Sequence, residues 1–122
     1  MCMADAPMTV VETAEFLKQA TRLISDSERE ALVAFVGANP EAGEIMPETG
    51  GVRKIRWARE GIGKRGGARV IYYYHSERLP VFLLTAYPKN RKANLSKAER
   101  NAMKRLVPIL VAGYPGKSKK AR

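Results

Sequence analysis

The sequence predicts an α+β fold: one early strand, a helical hairpin, a three-stranded antiparallel meander and a C-terminal helix packed on the resulting small sheet. Three observations predict it. Apolar residues recur at helical spacing twice before Pro40, the period shifts to two between Arg53 and Tyr87, and a helical stripe returns after Ser96.

Each element has its own local signal. Residues 1–7 read as a disordered leader, and Met8 serves as well as Met1 for a start, because Thr9-Val10-Val11 opens the first β-branched run. That run is the first strand. From Thr13, placed as an N-cap, the residues Phe16, Leu17, Ala20, Leu23 and Ile24 share one helical face. Ser25 to Glu30 then holds two overlapping capping boxes, Ser25 with Glu28 and Ser27 with Glu30, the second leading into Leu32, Phe35 and Val36. Gly37 and Asn39-Pro40 stop this second helix.

From Val52 the pattern is that of a strand. Over Arg53 to Arg59, alternation puts Lys54 and Arg56 on one side and Ile55 and Trp57 on the other. Glu60 to Gly67 is a loop, and Ala68 to Ser76 and Leu79 to Tyr87 are the next two strands, with a turn at Glu77-Arg78. Links this short force antiparallel pairing. Ser96 with Glu99 caps the last helix, whose stripe is Met103, Leu106, Val107 and Leu110; Pro108 removes one donor and predicts a kink or an early end near Val107. Residues 113–122 read as a basic disordered tail, which leaves 8–112 as a single domain.

Charge divides the chain. Up to Thr49 there are nine acidic and three basic residues, a balance of −6; from Gly50 on, nineteen basic residues face three acidic ones, a balance of +16. Such a field attracts polyanions, so nucleic acid is the expected partner, or an acidic protein that masks the charge. The lone Cys2 permits neither a disulfide framework nor a Cys/His metal cluster, and the acidic residues gather in the N-terminal helices, away from the basic half. No metal site or cofactor is expected. The absence of a long apolar run argues against a membrane span, and the cytoplasm is the expected location.

Few motifs survive a physical test. Gly61-Ile62-Gly63-Lys64-Arg65-Gly66 satisfies GxGxxG, but it runs into a β-branched, aromatic strand, whereas a dinucleotide site needs a helix there. Two readings of the loop stand: a hairpin tip whose glycines admit a phosphate chain to Lys64 and Arg65, or a plain solvated turn. Arg69 falls beside the Lys54 and Arg56 strand, and like charges on adjacent strands repel unless an anion lies between them; a sheet edge kept soluble by cations is the alternative. Among Tyr72, Tyr73, Tyr74 and Tyr87 at least two must alternate into the core, leaving the others for base stacking. His75, the only histidine, sits at a strand end with no triad partners in view.

The segments Gly50-Gly51-Val52-Arg53-Lys54-Ile55-Arg56, Gly63-Lys64-Arg65-Gly66-Gly67-Ala68-Arg69-Val70-Ile71-Tyr72-Tyr73 and Leu84-Thr85-Ala86-Tyr87-Pro88-Lys89-Asn90, in that order, resemble the RelE/ParE toxin superfamily, most nearly its HigB-type branch. The resemblance spans roughly Met8 to Leu110. It implies a RelE-like fold and a toxin encoded with an antitoxin, which enters the ribosomal A site and cuts mRNA by attack of the ribose 2′-hydroxyl on the adjacent phosphate. Operator DNA would be met only through the toxin–antitoxin complex.

Carried onto this chain, the resemblance implies that Arg69 stabilises the charge of the phosphorane, that Lys54 and Arg56 lie at the reacting phosphate with Lys54 a candidate base, and that Lys89 holds phosphate or protonates the leaving oxygen. Tyr87 would stack on a base. Arg53, Arg59, Lys64, Arg65, Arg91 and Lys92 are the expected RNA and ribosome contacts. The chain departs from RelE itself, which has an arginine where Asn90 aligns and a tyrosine near Ser96. A ParE-like inhibitor of DNA gyrase, which cleaves nothing, and a non-enzymatic basic binding module are the alternatives.

Overall fold

The computed structural model describes residues 8–57, 67–88 and 95–113. Eight elements follow in order: β1 (Val10–Glu12), α1 (Ala14–Leu23), α2 (Asp26–Ala38), β2 (Glu44–Ile45), β3 (Val52–Trp57), β4 (Ala68–Tyr73), β5 (Val81–Pro88) and α3 (Lys97–Gly113). They form one five-stranded sheet in the order β1-β5-β4-β3-β2, with β3, β4 and β5 as the expected antiparallel meander. The α+β class holds.

Two features of the sheet differ from the sequence reading. The sheet is not antiparallel throughout, because β1 pairs with β5 in parallel, Val10 opposite Val81 and Glu12 opposite Leu83. The partner lies seventy-one positions along the chain, so no local pattern reports its direction. Thr13 ties the joint: its hydroxyl donates to the Leu83 carbonyl at 2.8 Å and accepts from the Phe16 N–H at 3.2 Å, capping α1 at the same time. The second difference is β2, an edge strand of two exposed residues with no readable period, which pairs Glu44 with Lys54 and Ile45 with Arg53.

Two layers of helix cover the sheet. On one face α1 and α2 bury Phe16, Ala20, Ile24, Leu32 and Val36 against Val70, Tyr72, Val81, Leu83 and Ala86. The Ser25–Glu28 box forms the N-cap of α2, while Ser27 only meets the Ser25 hydroxyl, so the earlier of the two overlapping boxes is the one used. On the other face α3 lays Met103, Leu106, Val107, Leu110 and Val111 over Val52, Ile71, Tyr73, Phe82 and Leu84. The expected Ser96–Glu99 box is present, with bonds of 2.8 and 3.1 Å. Pro108 does not end α3, which runs to Gly113. Its ring is exposed, and the packing of Leu110 and Val111 beyond it offsets the lost backbone bond.

Strand ends also shift. β4 stops at Tyr73 instead of Ser76, and β5 starts at Val81 because Leu79 and Pro80 belong to the buried turn that follows Glu77 and Arg78. The register between β4 and β5 slips by one between Ile71 and Tyr72, so Leu84 is the extra residue of a bulge. The loop expected over Glu60 to Gly67 lies, but for Gly67, outside the described residues, as do the leader and nearly all of the basic tail.

Candidate nucleic-acid interface

Alternation on β3 does what the spacing required. Ile55 and Trp57 pack toward the helical hairpin, whereas Val52 belongs to the α3-side cluster, which puts Lys54 and Arg56 on the α3 side as well. Arg69 on β4 shares that side with Ile71 and Tyr73. The register then completes a row: Arg56 is directly opposite Arg69, and Arg69 is directly opposite Tyr87 on β5. Directly opposed residues hold their Cβ atoms about 4.5–5.5 Å apart, so two guanidinium stems rise side by side from one patch of sheet.

Beside Arg69 in this row lies Tyr87, only 5% exposed. Burial pushes its hydroxyl above the ordinary tyrosine range; the nearby Arg69 charge pulls it down and Glu99, from the first turn of α3, pushes it up. The phenol therefore keeps its proton at neutral pH, and it senses both the guanidinium and the carboxylate. Its ring packs among apolar side chains, which leaves no open ring face for a base.

The expected residues do not all assemble. Lys54, Arg56, Arg69 and Tyr87 come together on one face. Arg53 points the opposite way and donates to the carbonyls of Glu41 and Gly43 at 3.1 and 2.8 Å, pinning the segment after α2 to the sheet. Tyr72 works with it: its hydroxyl donates to the Pro40 carbonyl and accepts from the Gly43 N–H. Lys89, Arg59, Lys64, Arg65, Arg91 and Lys92 lie outside the described residues. His75 is exposed at the far end of β4, about 20 Å of strand rise from Arg69, with the Ser76 hydroxyl as neighbour.

Two participants were not singled out from the sequence. Glu99 was read only as a capping residue, yet its charge reaches Tyr87. Arg100 follows it, donates to the Leu95 carbonyl at 2.7 Å and meets Glu48 at 3.6 Å beside Lys54. Their signal was the capping box itself, which fixes how the first turn of α3 meets the sheet. Among the described residues no three of His, Cys, Asp and Glu gather where they could hold a metal ion, and no helix is long and apolar enough to cross a membrane.

Fold and site together define a small α+β protein with a cationic sheet face beside a buried phenol. The family model for the RelE toxin of the RelE / RelB toxin-antitoxin system matches residues 8–114, and the chain belongs to this family. It is the toxin component of a toxin–antitoxin system, and its family counterpart is an antitoxin protein.

Proposed function

We propose that this toxin, of the HigB-type branch, is a ribosome-dependent mRNA endonuclease whose charge stabilisation comes from its own side chains. The observation that carries this reading is the direct cross-strand pair Arg56 and Arg69, on the same face as Lys54 and in one row with Tyr87. Two guanidinium groups held side by side repel, and a bridging phosphate converts that repulsion into attraction. In the cleavage, the ribose 2′-oxygen loses its proton to a base and attacks the adjacent phosphorus. The bond to the 5′-oxygen breaks, that oxygen takes a proton, and a 2′,3′-cyclic phosphate remains. Arg69 and Arg56 oppose the charge of the pentavalent state, Lys54 is the candidate base and Lys89 the candidate donor to the leaving oxygen.

The ribosome supplies what the row lacks. Cations on a sheet hold a phosphate but do not bend a free RNA into in-line geometry, and orientation of an intramolecular attack is worth roughly 7–11 kcal/mol. The decoding centre grips the codon and presents a surface of ribosomal RNA, to which the +16 segment from Gly50 on is complementary. An acidic antitoxin covering the same face would neutralise the toxin by masking it. The test is a translation extract programmed with a defined message and mapped for cleavage ends, beside the same message without ribosomes. Cutting only on ribosomes with a vacant A site is expected. Equal cutting of naked RNA overturns the ribosome dependence, and no cutting together with blocked gyrase supercoiling moves the protein to the ParE-like reading.

A further inference from the structure

A cavity of about 450 Å³ opens between the β2–β3 turn and α3, lined by Glu44, Ile45, Pro47, Glu48, Lys54 and Arg100 among others. It shares Lys54 with the cationic row and so continues it, two residues or about 6.6–6.8 Å of strand rise from Arg56. Its size falls within the roughly 300–1,000 Å³ of small-ligand sites, ample for one nucleobase. The lining suits a nucleotide: Ile45, 58% exposed, and Pro47 offer apolar surface to a base face, and Lys54 joins the cavity to the Arg56 and Arg69 row that would hold its phosphate.

Glu48 is the unusual member. Its φ of 64° is in the left-handed region that glycine occupies at little cost and other residues rarely enter. The turn imposes this conformation. Thr49, fully buried, accepts from the Val52 N–H at 3.0 Å and donates to the Met46 carbonyl at 2.8 Å, which fixes the chain on the C-terminal side of Glu48. A glycine would meet that geometry more easily, and the Glu48 side chain, 69% exposed, adds little burial in return. Its carboxylate lies near Arg100, which is itself held by the Leu95 carbonyl and comes within 3.6 Å of one oxygen at the rim of the cavity.

A carboxylate at this rim discriminates among bases. It accepts two parallel hydrogen bonds, and only guanine presents two adjacent donors, N1–H and the 2-amino group, on its Watson–Crick edge. Adenine and cytosine set a ring-nitrogen lone pair beside their amino group, and uracil flanks its one N–H with carbonyls; each turns an acceptor toward a carboxylate oxygen. We propose that this cavity, on the RNA-cleft reading above, seats the base next to the cleaved phosphate, that Glu48 selects guanine there, and that Arg100 is the residue positioning Glu48.

Titration of the isotope-labelled full chain with 5′-GMP, 5′-AMP, 5′-CMP and 5′-UMP, read by amide chemical shifts, tests the cavity without the ribosome. Shifts centred on Ile45, Glu48 and Arg100 are expected, with 5′-GMP bound about tenfold more tightly than the others, as one bidentate contact provides. Inosine monophosphate, which lacks the 2-amino group, should lose most of that preference. Glu48→Gln, which presents one donor and one acceptor, should abolish it, and Glu48→Gly should do the same with an unchanged or raised melting temperature. Equal affinity for all four nucleotides, a preference that survives Glu48→Gln, or a lowered melting temperature in Glu48→Gly overturns the assignment. Mapped ends from ribosome-threaded messages separate this from the function proposed above. Cuts enriched beside G in the wild type and evenly spread in Glu48→Gln support both, cuts indifferent to base overturn guanine selection alone, and intact 5′-GMP selection without cutting overturns the endonuclease alone.

Discussion

The two faces of the sheet are built to different ends. On the hairpin side, the polar groups that come near the sheet are consumed internally: Thr13 caps α1 and holds Leu83, Tyr72 joins Pro40 to Gly43, and Arg53 spans two carbonyls. The α3 side buries its centre as thoroughly, yet at the β3–β4–β5 end it aligns Lys54, Arg56 and Arg69 beside a buried phenol. An arginine on the first face thus stabilises the chain. On the second it confronts another arginine, an arrangement that favours an anionic ligand over stability. The contrast is sharp because Arg53 and Lys54 are sequence neighbours with opposite fates.

The largest expected effect falls on the open face. Arg69→Ala should lower ribosome-dependent cleavage by about 10²–10³-fold, the usual loss on removing one charge-stabilising donor. Undiminished cutting by this variant would remove Arg69 from the site. On the closed face the order of effects reverses. Tyr72→Phe leaves the Gly43 N–H and the Pro40 carbonyl without their partner and should cost about 1–3 kcal/mol of unfolding free energy, while cleavage per folded molecule is retained. Denaturant unfolding beside the cleavage assay reads both; a Tyr72→Phe protein as stable as the parent breaks the comparison.

A smaller effect marks the periphery of the closed face. Ser25→Ala removes the hydroxyl that accepts from Glu28 at 3.1 Å and so the cap of α2, worth about 1 kcal/mol, and leaves the opposite face untouched. Thermal unfolding should show a modest downward shift at unchanged cleavage. Loss of cleavage beyond the fraction unfolded would mean that the faces are coupled through the sheet.

What the sequence disclosed and what it hid follow from range. Periodicity and capping are local, so α1, α2, the meander and the sidedness of Lys54 and Arg56 are all legible in the order of residues alone. Pairing across the chain is not local: the parallel β1–β5 contact and the two-residue β2 depend on partners that no window contains. The site divides in the same way. Arg69 could be placed beside β3 from the spacing, but the use of Arg53 as a clamp needs the Glu41–Gly43 carbonyls, and the part played by Glu99 and Arg100 needs α3 docked on the sheet. Of the kink or early end that Pro108 predicted, the early end does not occur, because its ring faces solvent, which the letter alone does not say.

The last prediction concerns tyrosines on both faces, and it vanishes near neutral pH. Burial raises the hydroxyls of Tyr72, Tyr73 and Tyr87 above the ordinary 10.0. For Tyr72 the Gly43 N–H and Arg53 pull the other way, and Arg69 does so for Tyr87, without cancelling the effect of burial. A raised pKa in the folded state means that the native chain holds these protons more tightly than the unfolded one. The stability this confers is complete below the unfolded tyrosine pKa of about 10 and is lost as pH climbs through the raised values. The tyrosines should therefore leave the melting temperature flat in the neutral range and depress it progressively above about pH 10. Tyr73→Phe is the cleanest probe, since burial is the sole cause of its shift. That variant should lose part of the alkaline slope, and Tyr87→Phe should lose part of it too while also cleaving less at neutral pH. An alkaline slope identical in Tyr73→Phe, Tyr87→Phe and the parent would show that these hydroxyls do not titrate with unfolding, and would leave the buried phenol beside Arg69 without its expected proton affinity.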